Sequence, residues 1–343
     1  MFRSAFLGCG PRAAGHAEAY TRVTGAHPVA ACDLDEARLC RFADKFGIER
    51  RYADAREMLK RERPDLLHIV THPGLRVPLM TLAAECEVPL AIVEKPLVLD
   101  SADYRAIEDL SRTTRTKFVV NHQLRFHPKV REFVRDVAEG RIGAVRHIHA
   151  SARALLAEQG THITDLLFAF QGDRPPASVF GAVSGDGRMD DTHAAPEMSQ
   201  ATLTFSDGTR AALECGANAP QALGAPSSVY MHKRIAVYGA RGFVEWQMEA
   251  WERSTPERGH EQGAYRYVEE DLLGQAALTD AACAWLADDA AVHPNNLATS
   301  LAEVNVLLGL YESALRRAPV ALPFAPEEDL LPALKVTLGR RRG

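Results

Sequence analysis

At 343 residues the chain is longer than one hydrophobic core usually serves, so two domains are expected. It is 46% hydrophobic and 25% charged with a formal net charge of -5, and its one dense basic cluster is Arg340–Arg342 at the end, read as a solvated tail. That balance argues against nucleic acid as the main partner, and no apolar run reaches the ~20 residues that span a bilayer.

Six cysteines (Cys9, Cys32, Cys40, Cys86, Cys215 and Cys283) form no CxxC pair, which points to free thiols in a reducing compartment. MFRSAFLGCG reads as a first strand running into a glycine turn and not as a signal peptide, so a cytoplasmic location is expected.

In chain order, "SAFLG" reads as a strand, "AAGHAEAYTRV" as a helix, "HPVAACD" as a strand and "LDEARLCRFADKFG" as a helix closed by glycine. "ERRYADAREMLKRERP" follows as a helix, "DLLHIVTHP" as a strand, "PLMTLAAECEVP" as a helix and "LAIVEKP" as a strand. "SADYRAIEDLSRTT" is a helix and "KFVVNHQ" closes the series. Such alternation predicts a parallel sheet with helices on both faces.

After residue ~122 the pattern changes. "FHPKVREFVRDVAEGRIG" reads as a helix and "AVRHIHASARAL" as a strand. "QATLTFSDGTRAALECGA" and "KRIAVYGARGFVEWQ" read as two hairpins, the second turning at Gly239–Gly242, and "PNNLATSLAEVNVLLGLYESALRR" as a long helix. Stretches 183–199 and 217–228 lack periodicity and are expected to be loops over a site. The expected domains are 1–122 and 123–343.

"GCGPRAAGH" places Gly8, Gly10 and Ala13 in G-x-G-x-x-A spacing between the first strand and the first helix. Gly8 permits the turn, Gly10 lets main chain approach a pyrophosphate, and Ala13 lets helix and strand pack closely. Pro11 and Arg12 open that helix, whose N-terminus attracts phosphate. Asp33, with Leu34 after it, ends the second strand about 20 residues on, where a carboxylate accepts from ribose hydroxyls and repels a 2'-phosphate. NAD is therefore the expected cofactor, with NADP as the second option if Arg12 or Arg38 pairs with that phosphate.

A later apolar strand ends on Glu94-Lys95-Pro96, and Pro96 restricts Lys95 to extended backbone. With "EKP", "NHQLRFHP", "EQGTHITDL" and the closing "SLAEVNVLLGLYESALRRAPVALP", the chain resembles the glucose–fructose oxidoreductase / inositol dehydrogenase / MocA-like oxidoreductases over nearly its whole length. The resemblance implies an N-terminal Rossmann domain with a doubly wound parallel sheet and a C-terminal α+β domain with an open, mostly antiparallel sheet.

It further implies that Lys95 touches the reacting hydroxyl, that the Lys95–Pro96 bond is often cis, and that Thr71 and His72 line the adenine and ribose, while Arg76 departs from a histidine in many relatives. Asn121 borders the nicotinamide. Glu94 either contacts the cofactor ribose or balances Lys95. Gln123 and Arg125 follow at the junction as substrate contacts, although Arg125 fits an interdomain salt bridge equally well.

By the same resemblance His162 takes the substrate proton, and Glu158, a candidate catalytic and substrate-binding carboxylate with it, stands where relatives often have aspartate. If 161–170 is helical, Asp165 shares a face with His162 and either orients the imidazole or anchors the helix. An imidazole suits proton transfer near neutrality because its ordinary pKa is ~6.5. His147 and His149 share a strand face without a third ligand, so no metal is expected.

The expected reaction is reversible oxidation of a secondary alcohol on a sugar, cyclitol or polyol by a homodimer or homotetramer. Its rivals are a glycoside-cleaving enzyme working by transient oxidation and elimination, and a non-catalytic dinucleotide sensor or scaffold.

Overall fold

The Ala-, Leu-, Ile- and Val-rich strands of the first half are almost wholly buried, as strands covered on both faces must be. The computed structural model describes residues 1–222 and 228–339, so the Arg340–Arg342 cluster and residues 223–227 of the expected loop 217–228 lie outside the described residues. The chain divides into two compact units. Unit 1 is Met1–Val98, Ala106–Phe126 and Asp271–Ser300; unit 2 is Leu99–Arg105, His127–Glu270 and Leu301–Gly343.

In unit 1, β1 (Phe2–Leu7), α1 (Pro11–Ala19), β2 (Ala26–Cys32), α2 (Glu36–Phe46), β3 (Arg50–Tyr52), α3 (Ala55–Glu62), β4 (Leu66–Ile69), α4 (Arg76–Glu85) and β5 (Leu90–Val93) follow one another. The helix α5 (Ser101–Thr113), whose residues to Arg105 count in unit 2, precedes β6 (Lys117–Val120). All six strands pair in parallel in the order β3-β2-β1-β4-β5-β6. The order reverses between β1 and β4, the switch point at which such sheets bind ligands. Residues just past the strands, Asp33, Gly8, Thr71, Glu94 and Asn121, therefore line one carboxyl edge in that spatial order.

Two expectations change here. The helix read over "ERRYADAREMLKRERP" begins later, because Arg50–Tyr52 pairs with β2 as a charged edge strand and Asp54 caps α3 by accepting from Glu57 N at 2.6 Å. Asp271–Ser300, expected in the second domain, joins the first unit together with Gln123–Phe126. The reason is apolar packing: Leu278, Ala282 and Cys283 are buried against Leu66, Leu90, Ile92 and Val119. A fully buried Leu or Ile contributes roughly 1.5–3 kcal/mol.

In unit 2, α6 (Pro128–Ala138) leads to β7 (Val145–Ala152), α7 (Thr161–Phe170), β8 (Ser178–Ser184), β9 (Met198–Thr204) and β10 (Arg210–Gly216). Next come β11 (Lys233–Gly239), β12 (Phe243–Gln247), β13 (Ala250–Thr255), β14 (Gly259–Ala264) and α8 (Tyr267–Ala287), whose residues from Asp271 on count in unit 1. The chain ends with α9 (Leu297–Arg316), β15 (Val320–Ala321) and α10 (Leu330–Gly339).

The nine-stranded sheet runs β14-β13-β12-β11-β7-β10-β9-β8-β15, antiparallel except where β7 meets β10. Every residue of α7 is buried, and the helix packs on β7 and β11. Both expected hairpins form, β9–β10 and β11–β12. Among the described residues no helix is long and apolar enough to cross a membrane.

Candidate active site

Gly8 leaves β1 at φ +94°, and a Cβ there would lie 2.3 Å from the Val70 carbonyl oxygen, so only glycine lets the turn run this close to β4. A Cβ on Gly10 would meet nothing within 4 Å, so the turn opens onto clear space at that point. Pro11 begins α1, where its missing N–H costs nothing, and Gly10 supplies no side-chain cap. The leading N–H groups of α1 are thus left to an anion. Ala13 and Ala17 pack with Phe6 and Val70 and hold the helix against β1. This cradle fits the pyrophosphate of a dinucleotide.

Asp33 is buried at the rim of the same edge. Its Oδ2 accepts from Cys9 N (2.8 Å) and Arg38 Nε (2.8 Å), and its Oδ1 from Asp35 N (2.9 Å) and Arg38 Nη2 (2.6 Å). Burial would raise its pKa, but the Arg38 hydrogen bond and the two backbone donors outweigh it and hold the carboxyl below its ordinary value. Its four lone-pair sites are all taken, so ribose hydroxyls must displace Arg38, whose side chain is 42% exposed. Leu34 is 89% exposed beside it, an apolar surface suited to a base.

Glu94 follows β5 and is buried in a chain of side chains. Its Oε1 accepts from His16 Nε2 (2.7 Å), Asn121 Nδ2 (2.8 Å) and Arg12 Nε (2.9 Å). Behind His16 stands His68, their Nδ1 atoms 3.2 Å apart, and the Tyr20 hydroxyl lies 2.8 Å from His68 Nε2. The tautomers follow from the acceptor at the end: Tyr20 O–H donates to His68 Nε2, His68 Nδ1–H to His16 Nδ1, and His16 Nε2–H to Glu94. Asn121 and Gln275 exchange hydrogen bonds of 2.9 and 3.1 Å.

Burial pushes the Glu94 pKa up, yet the Arg12 charge and then the His16 hydrogen bond hold it well below the carboxylate range. Burial lowers His16 and His68, so both are neutral. Lys95, half-buried, adjoins this anion, and the Lys95–Pro96 peptide is cis.

At the end of β4, Thr71 is half-buried and His72 exposed. Arg76 is wholly buried and donates to the carbonyl oxygens of Thr71 (3.2 Å) and Ile69 (3.5 Å). Burial lowers its pKa to about 10. It is a strut inside the unit. Past β6, Gln123 donates to Asp271 at 3.0 Å, and Arg125 is buried in the same turn. Burial, with Arg125 and Lys95 adding to it, lowers His122 to about 3.

In unit 2 the turn Leu156–Gly160 runs into α7. A Cβ on Gly160 would come within 2.7 Å of Cys215 Sγ, so glycine is needed for the turn to lie against β10. Glu158 accepts from Leu155 N at 3.3 Å and pairs with Arg188 Nη2 at 3.4 Å, tying the 185–197 segment to this turn. His162 and Asp165 are buried on the first two turns of α7, and Thr164 Oγ1 donates to the Gly160 carbonyl at 3.0 Å.

The sequence motifs thus gather Gly8, Gly10, Asp33, Thr71, Glu94, Lys95 and Asn121 at one sheet edge, and Glu158, His162 and Asp165 on one turn and helix. Arg12, read as a partner for a 2'-phosphate, instead holds Glu94; Arg38 is the arginine beside Asp33. His16, His68 and Gln275 were not singled out by motif. For His16 the signal was its place three residues beyond Ala13 on the first helix; for Gln275 there was none.

Residues 2–122 match the model of an oxidoreductase family described by its NAD-binding Rossmann fold, Gfo/Idh/MocA. A D-apiose dehydrogenase of Paraburkholderia graminis is 28% identical over 258 residues, 70% of this chain and 66%, just under two thirds, of that protein. Among solved structures, an oxidoreductase of Agrobacterium radiobacter in complex with NAD+, L-tartaric acid and magnesium superposes with a TM-score of 0.80 at 21% identity, covering 93% of this chain and 98% of that one. A levoglucosan dehydrogenase in complex with NADH and levoglucosan gives 0.78 at 16% identity, covering 94% and 100%. Those two likenesses establish the fold. Residues 2–122, with the phosphate turn, Asp33 and the Glu94-Lys95-Pro96 strand end in place, are thus similar to the Gfo/Idh/MocA oxidoreductases and their NAD-binding Rossmann fold.

Proposed function

We propose that the chain is an NAD-dependent dehydrogenase that reversibly oxidises a secondary alcohol of a sugar, cyclitol or related polyol. One observation carries the reading: an anionic Glu94, its Oε1 accepting from three donors, next to Lys95 at the carboxyl edge of the nucleotide sheet. A lysine ammonium beside that anion steadies the charge that grows on a hydroxyl oxygen as it loses its proton. One such preorganised donor is worth about 2.7–4 kcal/mol of barrier.

When bound, NAD would take up the carbinol hydrogen with its electron pair, while the imidazole of His162 accepts the hydroxyl proton and a carbonyl is left on the substrate. Asp165, on the same helix face, orients the imidazole. Glu158 anchors the turn before His162 through Leu155 and Arg188 and does not take part in proton transfer. Asp33 favours NAD over NADP once its arginine has yielded. The relative named as a D-apiose dehydrogenase supports a sugar as substrate. The open nine-stranded sheet, with Phe180 and Tyr238 exposed, is proposed to pair with a second copy.

The test is absorbance at 340 nm with sugars, inositols, polyols and glycosides against NAD and NADP, D-apiose included. NADH formed from a free sugar or polyol is expected. Cleavage of a glycoside without added cofactor contradicts the proposal. Replacing His162 by Gln is expected to lower kcat by about 10²–10⁴, the usual share of a general base, with NAD affinity unchanged.

A further inference from the structure

Arg12 is the second residue of α1, inside the turn that forms the phosphate cradle. Its guanidinium nevertheless reaches toward the β5 side of the sheet, donating from Nε to Glu94 at 2.9 Å and from Nη2 to Gln275 at 3.2 Å. Its side chain is 37% exposed and that of Glu94 only 7%, so the contact joins the rim of the cradle to a carboxylate within the sheet edge. The other donors to that oxygen, His16 and Asn121, come from buried positions and carry no formal charge. Arg12 is the donor among these three that brings a positive charge to Glu94, and the one that comes from the cofactor turn.

We propose that Arg12 is a positioning residue. It neutralises and orients Glu94, and through Glu94 the strand end that carries Lys95; it is not a ligand of the cofactor phosphates. The inference rests on the reading of Lys95 given above. A phosphate ligand and a positioning residue separate cleanly, because ADP-ribose contains the pyrophosphate of NAD and lacks the nicotinamide.

The experiment is calorimetric titration of the whole protein with ADP-ribose and with NAD, beside steady-state kinetics, for Arg12→Met and Arg12→Lys. For Arg12→Met, Kd for ADP-ribose is expected to stay within about three-fold of wild type while kcat at saturating NAD falls about ten-fold or more. Arg12→Lys keeps the charge and restores most of kcat. A rise of about ten-fold or more in Kd for ADP-ribose overturns the proposal, whatever happens to kcat. So does wild-type kcat in Arg12→Met. If Lys95→Met turns over normally, the reading of Lys95 fails; the ADP-ribose titration then still decides whether Arg12 is a phosphate ligand.

Discussion

Asp33 and Glu94 end strands of one parallel sheet, and each is held ionised against the pull of burial, yet their surroundings differ in kind. Asp33 takes its donors from two main-chain N–H groups and from Arg38, a side chain 42% exposed. Glu94 takes two of its donors from His16 and Asn121, both wholly buried. Water replaces an exposed guanidinium easily. Nothing replaces the acceptor of a buried imidazole N–H. One carboxylate is therefore open to exchange its partner for a ligand hydroxyl, and the other is part of the scaffold that presents Lys95.

Truncating each carboxylate gives the largest contrast. Glu94→Ala leaves His16 and Asn121 without their acceptor and is expected to cost about 2–4 kcal/mol, read as a drop in urea midpoint. Asp33→Ala, at the rim, is expected to cost about 1 kcal/mol. Equal losses would erase the distinction.

Acid sharpens it further. Burial lowers the pKa values of His16, His68, His122 and His293, the last two to about 3. In the unfolded chain these rings take a proton near pH 6.5; in the fold they take it only lower. Their contribution is present above that value and is lost as pH falls from it toward the folded pKa, by about 1.4 kcal/mol per pH unit for each ring. The contribution of Glu94 is present above its unfolded pKa of ~4.3 and is lost as pH falls through its lower folded value. His68→Gln is expected to flatten the fall in stability between about pH 6.5 and 5 by one ring's share, and an unchanged slope would show that His68 is not buried neutral.

Smaller effects belong to the exchangeable site. Asp33→Ala is expected to weaken NAD binding about ten-fold, near 1.4 kcal/mol, and to narrow the preference over NADP. Arg38→Ala removes a competitor for Asp33, so NAD affinity should hold within about three-fold or rise, and stability should change by less than ~1 kcal/mol. Strong loss of NAD binding in Arg38→Ala would make Arg38 a cofactor ligand.

Much of unit 1 was legible because its signals are local. The glycines of the turn, the strand-helix alternation and the proline after Lys95 each constrain main chain within a few residues. β3 was missed because it is only three residues long, two of them arginines, and lies on an edge, and so carries no apolar alternation. The Glu94 network was illegible for another reason: Gln275 meets Asn121 across 154 residues, and no periodicity encodes such a meeting. The same holds for Leu278 and Ala282, which pack with the first unit although they follow the second sheet in sequence. In unit 2 the helix over 161–170 entered only as a condition for His162 and Asp165 to share a face, and the Glu158–Arg188 link depends on a stretch without pattern.

The most direct measurement is turnover of Lys95→Met at saturating NAD, beside its calorimetric Kd for NAD. Loss of an ammonium at the reacting oxygen predicts a kcat lower by about 10²–10³, with Kd within about three-fold of wild type. Wild-type kcat in that variant would contradict the assignment of the chemistry to the end of β5.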